Sequence, residues 1–545
     1  MIVVAVTTLI SLRKKSRRGS SPAAPSPRTS RTNRSPLYNR FRPTRNARRS
    51  TAPIIVLFGN RSLAWPLAFI SSVISLIISV LLIISVREGG YISYTLGGWA
   101  PPLGIEYRID ATNAFVLMLI STISSVVLPF AYTSINDEIR SRDHSLFYAC
   151  WMLCFTGLLG MVATGDVFNV FVFLEISSLS TYVLIAQGAS KDRRALTAAF
   201  DYLIMGTIGA TFFVIGLGML YMATGTLNMA DLADRIADQG ANRTIRSGFA
   251  FIIVGMGLKV AMFPLHLWLP KAYTFAPSAV TVFLSATATK AALYVVMRFI
   301  FSIYHPDFSF AKNTLEIIFL PLAIIAMFSA SFVAVFQINL KKMLAYSSIA
   351  QVGYMLLGIA ILSEAGLTAS LLHMFNHGFA KALLFMGAGV LVLKAGGSFY
   401  TQISGMGRKM PITSGAIVIG GLSLIGVPGT AGFLSKWLLV QAAFERSSDN
   451  SLFLIVALSI VLSSLLAVIY VWRIFEVLFL READKSIPSS EAPIMMLIPM
   501  WILAGSCIWF GISTDLLYDV ANQAALNLLD GSMGMSGSIL DLGVK

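Results

Sequence analysis

Charge is what this chain has least of. Only 12% of its 545 residues are Asp, Glu, Lys or Arg, about half the share of soluble domains. Apolar residues make up 56% and the mean hydropathy is +0.76. A soluble protein so poor in charge has no means of covering its surface; a bilayer removes that requirement. Cysteine is scarce too. Cys150 and Cys154 lie one helical turn apart and Cys507 is remote. With five His in the chain, no spacing of Cys and His matches a zinc or iron–sulfur ligand set, and no glycine-rich phosphate or dinucleotide loop is present. The expectation is a chain with no metal, no redox cofactor and no catalytic residues for covalent chemistry. Acidic residues are absent from residues 1–51, which hold thirteen Lys and Arg. Outside that segment 28 basic residues face 26 acidic ones. The net charge of +15 therefore belongs to one segment and does not describe a nucleic-acid surface.

What is present is a succession of long apolar runs. A spanning helix needs roughly 20 apolar residues. The sequence supplies candidates at 63–86, 111–132, 146–163, 167–187, 195–223, 249–264, 276–299, 315–336, 343–362, 367–393, 412–444, 452–480 and 492–511. The fold class expected is an all-α polytopic membrane protein. The Pro-, Ser- and Arg-rich composition of residues 1–51 cannot bury a core, so the segment is expected to be disordered. A targeting peptide, a lipid-binding arm and a misassigned translation start are the readings it leaves open. Ala52–Gly59 looks like the tail of a helix, which favours the last.

Short loops rich in Lys and Arg mark the cytoplasmic side. One set of alternate loops carries Lys191, Arg193 and Arg194, then Lys341 and Lys342, Arg408 and Lys409, and Arg481 to Lys485. The other set holds Asp231, Asp234, His305, Glu445 and Asp449, but also Arg235, Arg243 and Arg246. The balance puts the first set inside the cell, at a bacterial inner membrane.

The informative residues are charges within apolar helices, each costing roughly 2.5–3.5 kcal/mol at mid-membrane on insertion scales. Glu175 sits in GDVFNVFVFLEISSL, Lys259 in FIIVGMGLKVAMFPLHLWLP, Lys290 in FLSATATKAALYVV and Lys436 in LSLIGVPGTAGFLSKWLLV. His373, His377 and Lys381 recur at spacings of four in SLLHMFNHGFAKALLF, so they line one helix face, flanked by Asn376. Burial disfavours the charged form of an amine and a nearby carboxylate favours it. A lysine between these influences can take up and release a proton, and a file of such groups is a proton relay. Helix breaks are expected at Pro264, close after Lys259, and at Pro428-Gly429, close before Lys436. Paired broken helices in two halves of a transporter mark an ion path. Plainer readings compete: an ion pair ordering the bundle for Glu175, snorkelling for Lys259, a satisfied core histidine for His373, a positional role for His266. The joint pattern decides, because so many buried basic groups are costly without a use.

These stretches, with NLKKMLAYSSIAQVGYM, resemble the antiporter-like membrane subunits of respiratory complex I, membrane-bound hydrogenases and Mrp-type cation/proton antiporters, from about Arg61 to about Phe510. The resemblance implies about 14 transmembrane helices with two inverted five-helix repeats, each holding a broken helix. The implied divisions are 1–51, the N-terminal helices in 52–145, repeats at 146–300 and 312–480, and the last helix with its tail at 481–545. The implied relay is Glu175 on the fifth helix, Lys259 on the broken seventh, Lys290 on the eighth, His377 and Lys381 at the centre, and Lys436 on the broken twelfth. TGDVFN, NLKKMLAYSS and the lysine of GFLSKW resemble the D-type member of Mrp antiporters most. That implies a transporter subunit that exchanges protons for a cation, sodium in the first instance, with partner subunits in the membrane. The alternative is the proton-pumping membrane component of a complex I-like NADH-quinone oxidoreductase or hydrogenase. A third reading, a structural protein with a dead relay, predicts lost relay residues, and all are present.

Overall fold

The computed structural model describes residues 61–530, apart from 88–89, 241, 306–307 and 483–489. The basic segment 1–51, the fragment Ala52–Gly59 and Lys485 lie outside the described residues. Among those described, eleven helices are long and apolar enough to cross a membrane.

The chain opens with α1 (Arg61–Val86) and a small antiparallel hairpin, β1 (Ile92–Thr95) on β2 (Glu106–Ile109). Then follow α2 (Ala111–Glu138), α3 (His144–Ala163), α4 (Val167–Ala186) and α5 (Arg194–Thr224). The amphipathic α6 (Met229–Gln239) precedes α7 (Arg243–Val260) and α8 (Trp268–Phe275). The second half runs α9 (Ser278–Ile303), α10 (Ser309–Val335), α11 (Leu340–Ala360) and α12 (Glu364–Ala395). It ends with α13 (Pro411–Ile425), α14 (Ala431–Ser447), α15 (Leu452–Leu480), α16 (Ile494–Ile512) and α17 (Asp515–Leu529).

Burial sorts these helices. In α9 and α11, 94% of the membrane window is inside the protein, against 17% in α1 and 33% in α15. The buried Lys290, His373, His377 and Lys381 lie on the inner helices α9 and α12, while α1 and α15 turn large apolar side chains outward. At one end of α9, Arg298 pairs with Asp110 in a nearly buried ion pair. Asp110 also caps α2, accepting from the amides of Thr112 and Asn113, so one carboxylate fixes two central helices.

Both interruptions exist, and both begin before the proline. α7 stops at Val260, because Ala261 takes a left-handed conformation with φ 61°; Pro264 lies in the turn that follows. The run 412–444 is two helices. Gly426, at φ 91°, ends α13, and Pro428 and Gly429 occupy the gap before Ala431. The sequence pointed to the prolines, but the left-handed residue ahead of each one closes the helix. The stretch after Ile512 also departs from the simple tail expected: α17 is an ordered helix with a buried face of Leu517, Ala521, Ala524 and Leu528.

Glycine brings α5 and α7 into near backbone contact. A methyl group added at Gly255 would lie 2.5 Å from the Gly209 carbonyl oxygen, and one at Gly216 would lie 2.7 Å from that of Gly248. Small residues permit such approach where packing, not hydrophobic expulsion, must hold helices together. This contact fixes the end of α7 that carries Lys259.

Candidate functional site

Lys259, Lys290, Lys381 and Lys436 are each 8% exposed or less, and none forms an ion pair among the described residues. Their partners are hydroxyls and carbonyls. Lys259 Nζ donates to Ser178 Oγ at 2.6 Å. Ser178 and Glu175 stand one turn apart on α4, so the carboxylate and the amine share one serine's neighbourhood. Glu175 is half-buried, its Oε1 carries no hydrogen bond, and its charge acts on Lys259. At the start of α4, Asp166 accepts from the Asn169 amide at 2.7 Å and caps the helix. Burial raises the Asp166 carboxyl above its ordinary value, against the pull of that amide.

Tyr182, one turn beyond Ser178, places its hydroxyl over Gly206 of α5. A Cβ there would lie 2.2 Å from the tyrosine oxygen and 3.4 Å from Lys259 Nζ. We expect Gly206→Ala to displace Tyr182 and crowd the Lys259 amine. Proton transport should fall severalfold with subunit abundance unchanged, as measured by vesicle assay beside an immunoblot.

Lys290 donates to the Ser285 carbonyl within its own helix and approaches Thr289 Oγ1 at 3.4 Å. Lys381 donates to the Leu344 carbonyl at 2.8 Å and to Ser347 Oγ of α11. Lys436 donates to the carbonyls of Leu424 and Ile425 at 3.1 and 2.8 Å. These belong to the last turn of α13. A continuous helix would use them on residues 428 and 429, but Pro428 has no N–H. The break thus supplies the acceptors that hold the lysine.

The histidines differ from one another. His373 is satisfied, with Nδ1 2.9 Å from Ser435 Oγ and Nε2 2.8 Å from Gln351 Oε1. His377 is buried with neither ring nitrogen bonded to protein, which leaves both able to bond water. Their rings stack 6.1 Å apart. Tyr354 lies 5.6 Å from the His373 ring, and Lys436 Nζ sits 4.9 Å over Tyr354. Asn376 donates to the Ala431 carbonyl at 2.7 Å, leaving its Oδ1 unbonded. Ring contacts therefore run from Lys436 over Tyr354 to His373 and His377. Glu175 and Lys259 form a separate group in the first half. His266 lies in the turn after α7, stacked on Phe263.

Sequence reading missed Ser178, Tyr182, Ser347, Gln351 and Tyr354, since hydroxyl and amide side chains are ordinary in membrane helices. Position was the available signal: Ser178 follows Glu175 by three residues, and Gln351 and Tyr354 share a helix with the LAYSS motif.

The family described as NADH:quinone oxidoreductase/Mrp antiporter, TM, matches residues 164–463. The chain belongs to this family. The N subunit of the NADH-quinone oxidoreductase of Desulforudis audaxviator is 37% identical over 446 residues, covering 79% of this chain and 87% of that one. The D subunit of the Na(+)/H(+) antiporter of Alkalihalophilus pseudofirmus is 30% identical over 456 residues, covering 84% and 90%. A chain of the Mrp complex from a Dietzia species superposes with a TM-score of 0.79 at 24% identity, covering 88% of this chain and 95% of that chain. A chain of the membrane-bound sulfane sulfur reductase, an archaeal respiratory membrane complex, gives 0.77 at 29%, covering 87% and 93%. The family match includes Glu175, Lys259, Lys290, His377, Lys381 and Lys436, as well as both helix breaks.

Proposed function

We propose that this chain is the proton-translocating, D-like subunit of a multisubunit Na+/H+ antiporter in a bacterial inner membrane. Protons pass along Glu175, Lys259, Lys290, His377, Lys381 and Lys436, with His373 and Asn376 in support. Pro264, Pro428 and Gly429 keep the two broken helices open beside the path. The observation that carries this reading is the burial of four lysine amines, three of them (Lys290, Lys381 and Lys436) among neutral oxygen atoms and Lys259 near Glu175. A structural role would favour a counter-ion for each, whereas a group that must exchange its proton is better served by partners that accept a hydrogen bond in either state.

The reading extends to architecture. The bundle comprises about 14 helices, with inverted five-helix repeats at 146–300 and 312–480 between the N-terminal helices of 52–145 and the last helix and tail of 481–545. In support, the broken helix is the fourth crossing in each set of five: α7 with α8 after α3, α4 and α5, and α13 with α14 after α10, α11 and α12. An odd number of crossings per repeat inverts the second repeat relative to the first. Partner subunits would complete the cation route.

A second reading has its own support. The 37% relative is named as part of an NADH-quinone oxidoreductase, so a redox complex would drive the same proton file. The two separate in inverted vesicles that carry the whole gene cluster. Collapse of a pH gradient on adding sodium or potassium is the expected result. No cation response, with proton pumping on adding an electron donor, would replace the antiporter with the redox complex.

A further inference from the structure

Lys341 has no place in the file above. The sequence put it in a cytoplasmic loop, but it lies in the first turn of α11 and is 5% exposed. Its Nζ donates to Ser278 Oγ at 3.0 Å. Ser278 opens α9, and its backbone N–H donates to Glu138 Oε2 at 2.8 Å. The other oxygen of Glu138 accepts from Ser134 Oγ at 2.6 Å. One serine therefore joins an amine of α11 to a carboxylate of α2. Glu138 acts electrostatically on Lys341.

The cluster faces both ways. Glu138 is half-buried at the end of α2, and its neighbour Asp137 pairs with the exposed Lys191 at 3.0 Å. The carboxylate thus stands at the rim of the lysine- and arginine-rich face. Inward, α11 turns from Lys341 to Leu344 and Ser347 at steps of three, and both accept from Lys381 Nζ. Six residues of helix span about 9 Å. Gly389 of α12 presses on the cluster, since an added Cβ would lie 2.9 Å from Ser278 Cβ. Lys381 is two turns away on that same helix.

A capping role explains Glu138, which satisfies an α9 amide. It does not explain a lysine amine taken out of water to meet a serine hydroxyl, an arrangement that costs free energy without adding a cap. We propose that Glu138, Ser278 and Lys341 form the proton intake on the basic face and feed Lys381 along α11. This rests on the proton-carrying reading above. Glu138 collects the proton from surface water, Ser278 holds carboxylate and amine against each other, and Lys341 passes the proton inward.

The test uses inverted vesicles with the complete complex, comparing wild type, Lys341→Met, Lys341→Arg and Glu138→Gln at matched subunit abundance. Arginine keeps the charge and the hydrogen bonds but does not release a proton. Glutamine keeps an acceptor for the Ser278 amide. All three variants should lower proton uptake by about tenfold or more, and the remaining rate should show a larger ratio between water and heavy water than wild type. A Lys341→Arg rate equal to wild type would overturn the intake, as would a loss with an unchanged isotope ratio, which marks a structural defect. Should the Lys341 variants fail to assemble, Glu138→Gln decides. A wild-type rate refutes the proposal, and a reduced rate with a raised isotope ratio supports it. Wild-type vesicles that move no protons would refute the underlying function instead.

Discussion

Vesicles carrying Lys259→Ala are expected to lose proton transport by about 10²-fold or more, the usual contribution of a positioned proton-transfer group. Lys259 combines burial, a single hydrogen bond to Ser178 at 2.6 Å and the influence of Glu175. Alanine removes an amine on which the α4 carboxylate Glu175 acts. Glu175→Ala should fall by a comparable factor. Ser178→Ala should cost less, because water can replace a hydroxyl partner but cannot replace the titrating amine. The measurement is the initial rate of proton movement in vesicles with equal amounts of subunit. A Lys259→Ala rate within twofold of wild type would remove the first half from the path and leave Lys259 a structural residue.

Gly432→Ala should be the most damaging single-methyl change among the described glycines. A Cβ at this position would lie 1.8 Å from the Ser423 carbonyl oxygen and 2.8 Å from its carbon. Both are backbone atoms, so no rotamer change relieves the clash. α14 must move off α13, at a cost of about 3 kcal/mol or more, the upper range for overpacking. Lys436 lies one turn further along α14, so that movement draws its amine away from Leu424 and Ile425. Gly511 presses on the same joint from α16, where a Cβ would meet Thr430 at 2.4 Å. The expected outcome is a sharp fall in assembled protein, read as membrane abundance and as a lower midpoint of thermal aggregation in detergent. Gly505→Ala, where a Cβ would meet nothing within 4 Å, is the matched control. Equal abundance of the two variants would contradict the clash.

The long apolar helices were readable from the chain because hydropathy and length decide them, though ends such as Glu138 of α2 and Arg243 of α7 lie six residues beyond the expected bounds. The expected span 452–480 is the observed α15. Proline alone does not decide a break, since Pro66, Pro129 and Pro499 lie inside continuous helices, but both breaks were readable to within a few residues from Pro264 and Pro428. Their true origin, a left-handed Ala261 in one case, left no mark, since alanine rarely takes that conformation. Lys341 shows the opposite error. Beside Lys342, at the end of an apolar run, it counted as a loop charge. Only the approach of α2, α9 and α12 puts it inside, and that approach depends on distant residues such as Gly389. The hairpin at 92–109 was missed because four-residue strands give too short a pattern. The charged candidates could be ordered along the chain, but which of them touch is a property of helix packing. The contact of Lys436 with Tyr354, on a helix far earlier in sequence, had no signature.

The acceptors around Lys436 and Lys381 have a consequence for turnover. A carbonyl or hydroxyl oxygen receives a hydrogen bond from an ammonium and, more weakly, from a neutral amine, which still has two N–H groups. A carboxylate partner would be different, because losing the proton would end the attraction that holds the pair. Lys436, seated on the last carbonyls of α13, keeps its address whether full or empty. On the proposed function, that half of the protein is discharged and reloaded on a stationary backbone, with only the proton and its neighbours' dipoles changing. Lys259, within the reach of Glu175, lacks that indifference, and the state of its proton is felt by its surroundings.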